Sequence, residues 1–221
     1  MPAMPSTAPR PAEHASVATR LARAALRLPD GVIDRIIGAP PVVVDGRVLN
    51  RRGPAGIAIG ERLGLTDEEW DVAARRAQLR RAGSIGMPRR TGVHVAGRRI
   101  PGAESQLPVR VSRRFGAEAE PPAIVYFHGG GWVVGDLDSH DGTCRMIADE
   151  TGCVVVAVDY RLAPEHPFPA PIDDAVAAYR WVRTHARELS IDPARIGVMG
   201  DSAGGNMAAV VAQATRDTDV R

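Results

Sequence analysis

The spacing of apolar positions changes character once along the chain, near residue 90. Before that point apolar residues recur at helical intervals. Val17, Leu21, Ala24, Ala25 and Leu28 share one face, with Arg20, Arg23 and Arg27 falling on others. Pro29-Asp30 opens a second, short helical segment through Ile37, and Gly38-Ala39-Pro40-Pro41 stops it. Thr66-Asp67-Glu68-Glu69 has the form of a capping box, in which the Thr66 hydroxyl and the Glu69 carboxylate each satisfy a free amide. It predicts a helix to about Ala82, ended by Gly83. Between these segments Gly53-Pro54, Gly56 and Gly60 interrupt an apolar face at Ile57 and Ile59. Each interior glycine costs about 1 kcal/mol relative to alanine, so helix there is expected to be weak. Residues 1–90 thus read as a proline-rich tail followed by a small helical lid or cap, whose plainer role is to pack against the domain formed by residues 91–221.

After residue 90 the pattern alternates. Residues 92–99 and 107–114 read as two antiparallel strands joined through Pro101-Gly102. Ala123-Ile124-Val125-Tyr126-Phe127 is continuously apolar, as a strand covered on both faces must be, and residues 153–158 and 195–199 repeat that character. Helical patterns fill 139–151, 171–187 and about 203–215. Alternating strands and helices argue an α/β fold with a mostly parallel, three-layer sheet, occupying residues 91–221.

Composition narrows the classes. With 44% hydrophobic and 24% charged residues the chain is globular in character, and a net charge of +2 with dispersed arginines does not suggest a nucleic-acid partner. Arg75, Arg76, Arg80 and Arg81 lie on a helical pattern and read as a solvated face. No apolar run reaches the roughly 18–20 residues a membrane span needs, and the first dozen residues show no signal-like stretch, so a cytoplasmic location is the default expectation. Cys144 and Cys153 read as reduced thiols, one on a helix and one on a buried strand. Neither a metal nor a cofactor is implied.

Two motifs carry chemistry. In Gly200-Asp201-Ser202-Ala203-Gly204 a serine follows a predicted strand and precedes a predicted helix. A nucleophile on such a turn is held in a strained backbone, and its neighbours two residues to either side must be small for strand and helix to approach. The helix N-terminus also favours negative charge developing near Ser202. His128-Gly129-Gly130-Gly131-Trp132 follows the 123–127 strand. Three glycines leave amides unshielded that can converge on one oxyanion. The lysine with serine or threonine that a phosphate loop would want is absent.

With Asp159-Tyr160-Arg161-Leu162-Ala163-Pro164-Glu165-His166-Pro167-Phe168-Pro169-Ala170 between these motifs, the chain resembles the hormone-sensitive-lipase-like family of α/β-hydrolases, in particular its bacterial carboxylesterases. The resemblance covers roughly residues 91–216 and, more loosely, the cap. It implies Ser202 as nucleophile and the amides of Gly130, Gly131 and Ala203 as oxyanion hole. It implies that His128 and Gly129 stabilise their loop, and that Gly200, Asp201 and Gly204 support the serine turn. The 160–169 stretch would shape the loop beneath the site, with Arg161 and Glu165 as an internal ion pair. The substrates implied are short to medium acyl esters.

The family pattern also places an acid and a histidine after the nucleophile. Downstream of Ser202 this sequence holds only Asp217 and Asp219 as acids and no histidine, while His14, His94, His140, His166 and His185 all lie upstream. The expectation is therefore a fold lacking the C-terminal part of its sheet, with an uncovered edge through which the chain could dimerise or associate. Three functional readings result: an esterase fragment weak or inactive alone, a non-catalytic binder of small apolar ligands or of protein, and an enzyme completed by a second polypeptide.

Overall fold

The computed structural model describes residue 24 and residues 27–38, 41–62, 71–86 and 90–216. The predicted first helix, the capping box at Thr66 and Glu69, His14, Asp217 and Asp219 lie wholly or mostly outside the described residues. The second predicted helix forms as α1 (Asp30–Ile37), closed by Gly38 in the left-handed conformation with its amide on the Asp34 carbonyl at 2.9 Å. Next in the chain is a two-stranded antiparallel hairpin, β1 (Val43–Val44) and β2 (Arg47–Val48), with Val43 opposite Val48. The described part of residues 1–90 is therefore not purely helical. The cause is local: Asp45 and Gly46 both adopt positive φ, 49° and 74°, the left-handed pair that a tight two-residue hairpin turn requires.

The glycine-interrupted segment does form a helix, α2 (Arg52–Arg62), packed against α1. The next helix, α3 (Val72–Gly86), passes straight through Gly83, which corrects the expectation that this glycine ends it. Gly83 serves a close approach instead. A Cβ there would overlap the carbonyl of Ser139, so the missing side chain lets α3 lie against the loop ahead of the next helix.

The remaining elements build one five-stranded sheet. In chain order they are β3 (Val93–Pro101), β4 (Gln106–Arg114), β5 (Ala123–Phe127), α4 (Asp141–Thr151), β6 (Val154–Val158), α5 (Ala170–Thr184), β7 (Ile196–Gly200) and α6 (Ala203–Thr215). The sheet order is β3-β4-β6-β5-β7. The β3–β4 and β4–β6 pairs are antiparallel, whereas β5 pairs parallel to both β6 and β7. Cys153 falls one residue ahead of β6 and is partly exposed, not within a buried strand.

Period-two alternation assigns the two faces. Val125, Phe127, Val154, Val156 and Val158 meet Ala175, Ala178 and Val182 of α5 and Met207 and Val211 of α6. On the opposite face Tyr126, Val155 and Ala157 meet Cys144, Ile147 and Ala148 of α4. All five β6 residues are buried, as its position between β4 and β5 under helices on both faces demands. Among the described residues β7 is an edge strand, paired only with β5, and Met199 on it is 43% exposed. The register sets Phe127 beside both Val158 and Gly200, so the carboxyl ends of three parallel strands finish level. Ligand sites of open parallel sheets form at that end.

Candidate active site

The serine turn joins β7 to α6. Ser202 has φ 51° and ψ −119°, a conformation costly for a residue with a side chain, and that side chain makes no capping hydrogen bond to the helix it starts. The strain is held from both sides. A Cβ on Gly200 would overlap the Gly204 backbone, and one on Gly204 would overlap the Phe127 carbonyl. Only glycine at these two positions lets β7, β5 and the first turn of α6 lie in contact. Ser202 itself is exposed at the mouth of the turn.

The glycine loop leaves β5 beside it. Gly130 takes φ 128° and Gly131 φ 60°, and the amides of Val133 and Val134 both return to the Gly130 carbonyl at 3.1 and 3.0 Å. The amides of Gly130, Gly131 and Ala203 have no hydrogen-bond acceptor among the described residues. They are thus available to an external oxygen. Trp132, at φ 60° and 36% exposed, stands next to them.

Asp201 ties the two motifs together. Its Oδ1 accepts the Tyr126 hydroxyl at 2.7 Å and the Gly129 amide at 2.9 Å, and His140 Nε2 stands 3.5 Å away. Partial burial works against its charge, but the Tyr126 hydroxyl, His140 and the Gly129 amide together hold its carboxyl below the usual range. Burial and this same partner push the Tyr126 hydroxyl far up, so it remains a donor.

His128 is buried. Its Nδ1 lies 2.9 Å from the Gly129 carbonyl, which assigns the proton to Nδ1, and its ring stacks on Tyr160 at 4.3 Å. The Tyr160 hydroxyl donates to the His128 carbonyl at 2.6 Å. Burial lowers the His128 imidazole to about 4, so at neutral pH it is an uncharged strut between the glycine loop and the loop after β6. Its described hydrogen-bonding and ring partners are Gly129, Tyr160 and His140, and Ser202 is not among them. Cys144, pushed up to about 12 by burial and Asp141, is no nucleophile.

Two sequence expectations are corrected here. Arg161 does not pair with Glu165. It forks onto Asp174, whose side chain is fully buried, through Nε at 2.8 Å and Nη2 at 3.0 Å, and reaches Glu104 at 2.6 Å. Glu165 instead takes a bidentate pair from Arg76 at 2.7 and 2.8 Å. The arginines of α3 are therefore not simply a solvated face, since Arg76 and Arg80 are both engaged, the latter with Asp136. Tyr126, His140, Arg76 and Asp174 escaped the sequence reading because each finds its partner 13 to 89 positions away. Of the remaining histidines, His94 lies on β3, His166 on the loop after β6 and His185 at the end of α5, stacked on Trp181. No described histidine is hydrogen-bonded to Ser202.

A mixed sheet layered between helices, with a strained serine at a strand-to-helix turn beside a glycine loop at the carboxyl ends of its parallel strands, has the architecture of the α/β-hydrolase fold. Comparison with known proteins agrees. Residues 124–221 match the model of a family described by its alpha/beta hydrolase fold. An esterase of Mycobacterium tuberculosis, LipI, is 62% identical over 100 residues, covering 45% of this chain and 31% of that protein. The carboxylic ester hydrolase LipN of the same organism is 40% identical over 179 residues, covering 80% of this chain and 47% of that protein. A solved hyperthermophilic esterase from the archaeon Pyrobaculum calidifontis superposes with a TM-score of 0.63 at 42% identity, over 69% of this chain and 49% of that one. The chain thus has the α/β-hydrolase fold and is similar in sequence to carboxylesterases. It spans about a third to a half of the length of these relatives. No helix among the described residues is long and apolar enough to cross a membrane.

Proposed function

We propose that this chain supplies the nucleophile and oxyanion hole of a serine carboxylesterase acting on small-molecule esters of short to medium acyl chains, in the cytoplasm. Ser202 attacks the ester carbonyl, the amides of Gly130, Gly131 and Ala203 receive the tetrahedral oxyanion, and water releases the acid from the acyl-enzyme. The observation that carries this reading is the convergence of the strained Ser202 turn and the free amides of the glycine loop, strapped together by Asp201. The names of the relatives point the same way. On this reading residues 1–90 act as tail and cap and residues 91–221 as the catalytic unit, while the histidine that takes the Ser202 proton, and its acid, come from outside residues 24–216.

The Ser202 hydroxyl is a weak nucleophile without its base. In subtilisin, loss of the histidine costs about 10⁶ in turnover and leaves about 10³–10⁴ over water. That residual comes from the oxyanion hole and binding and not from the serine. The expected result is therefore p-nitrophenyl butyrate hydrolysis by the 221-residue chain that rises when imidazole is supplied as an external base, a rise that Ser202→Ala removes. Equal rates for the chain and Ser202→Ala would reject catalysis by Ser202.

A further inference from the structure

Three residues on one face of α3, Arg76, Arg80 and Gly83, meet the glycine-loop region at successive helical intervals. Gly83 lies against the Ser139 carbonyl. Arg80 pairs with Asp136, whose Oδ1 in turn accepts the amides of Asp138 and Ser139 at 3.1 and 2.8 Å. Arg76 reaches deepest. Its Nε donates to the Val133 carbonyl at 2.8 Å, its Nη2 to the Ala163 carbonyl at 3.1 Å, and Nη1 and Nη2 grip both oxygens of Glu165. The two loops it joins are also joined directly, since the Ala163 amide donates to the Trp132 carbonyl at 2.8 Å. Val133 belongs to the turn whose amides close on Gly130, so the atom that Arg76 holds is one turn from the oxyanion amides.

We propose that Arg76 is a positioning residue for the oxyanion hole, setting the pose of the Gly130 and Gly131 amides by clamping Val133 and the 163–165 turn onto α3. The inference rests on the functional reading above for its catalytic consequence, but not for the clamp itself. A guanidinium is required because one planar fork must serve two carbonyls and a carboxylate at once, which an ammonium cannot do. Gly130 and Gly131 sit at positive φ with no side chain to wedge them, so their direction depends on what holds the loop on either side: Asp201 on the Gly129 amide before them and Arg76 on the Val133 carbonyl after them.

The test uses the 221-residue chain and three variants, Arg76→Ala, Arg76→Lys and Glu165→Gln, read by amide hydrogen exchange and by Ser202-dependent hydrolysis of p-nitrophenyl butyrate. In Arg76→Ala, exchange in peptides spanning 128–136 and 160–167 should quicken at least about tenfold while β4, β5 and β6 keep their protection. The kcat should fall by about 10²-fold, the cost of a misplaced catalytic group, with KM within roughly twofold. Arg76→Lys should not rescue either readout. Glu165→Gln loosens the clamp from an exposed loop without touching α3, so it should shift both readouts in the same direction by less, and it stands in if Arg76→Ala fails to fold. Unchanged exchange at 128–136 would overturn the proposal. So would exchange that quickens uniformly across the sheet with kcat per folded molecule unaltered, because that is the mark of a merely structural residue. If the unmodified chain shows no Ser202-dependent hydrolysis, the functional reading fails, and exchange alone decides the clamp.

Discussion

Two titratable groups at the carboxyl ends of β5 and β6, buried His128 and partly buried Asp159, have opposite pH signatures. His128 is held neutral by burial, down to about 4, and Asp159 is raised by burial and by Asp136 to about 6. For His128, whose folded value is depressed, the stabilisation is complete above about 6.5 and is lost as pH falls towards 4. For Asp159, whose folded value is raised, the stabilisation is complete below about 4 and is lost as pH rises through 6. Each spans on the order of 3 kcal/mol over nearly the same window, so the two slopes nearly cancel in the unmodified chain. Replacing Asp159 with Asn removes one slope and leaves the other. Urea melts of Asp159→Asn should therefore show stability rising with pH between about 4 and 6.5, by up to about 1.4 kcal/mol per unit, where the unmodified chain is nearly flat. A flat profile in the variant would contradict the assignment of His128 as the buried neutral group.

At the scale of elements, the loop after β6 is anchored by one buried ion pair. Asp174 on α5 is fully buried and accepts three hydrogen bonds from Arg161, counting its amide at 3.1 Å. Breaking a buried pair strands a charge and costs about 3–5 kcal/mol. Asp174→Asn is expected to lower the thermal midpoint by about 10 °C in a chain of this size, and Arg161→Lys should do nearly as much because it cannot reproduce the fork. A midpoint within the error of the unmodified chain would show that Glu104 alone suffices for Arg161. This pair also marks where sequence reading stops. Strands β3 to β7 and helices α4 to α6 were legible because periodicity and the two glycine motifs are local signals, good to a residue or two at most ends. The hairpin of β1 and β2 was not, since two-residue strands have no measurable period, although Asp45-Gly46 carried its turn signal. Ion-pair partners were illegible for a different reason. Glu165 lies close after Arg161 in sequence, yet the fold delivers Arg76 to it from 89 positions away.

Across the whole molecule the sheet is covered on both faces but open along β7, whose outer backbone groups have no partner among the described residues. An unpaired strand beside the exposed Met199 is a template for another strand. The 221-residue chain is expected to self-associate, and Met199→Lys, which places a charge on that edge, should shift sedimentation towards monomer. A chain that stays monomeric across a concentration series would sink this expectation. The order β6-β5-β7 has a temporal side as well. A ribosome emits Tyr126 and Gly129 long before Asp201, the carboxylate they share, which lies 75 positions beyond Tyr126. At about 5–20 residues per second that gap lasts about 4–15 s. During it the glycine loop stands beside an empty flank of β5, and both donors must be satisfied by water. β7 is the last of the described strands to emerge, so in each nascent molecule the Gly130 and Gly131 amides are made before Ser202 and Ala203 can reach them.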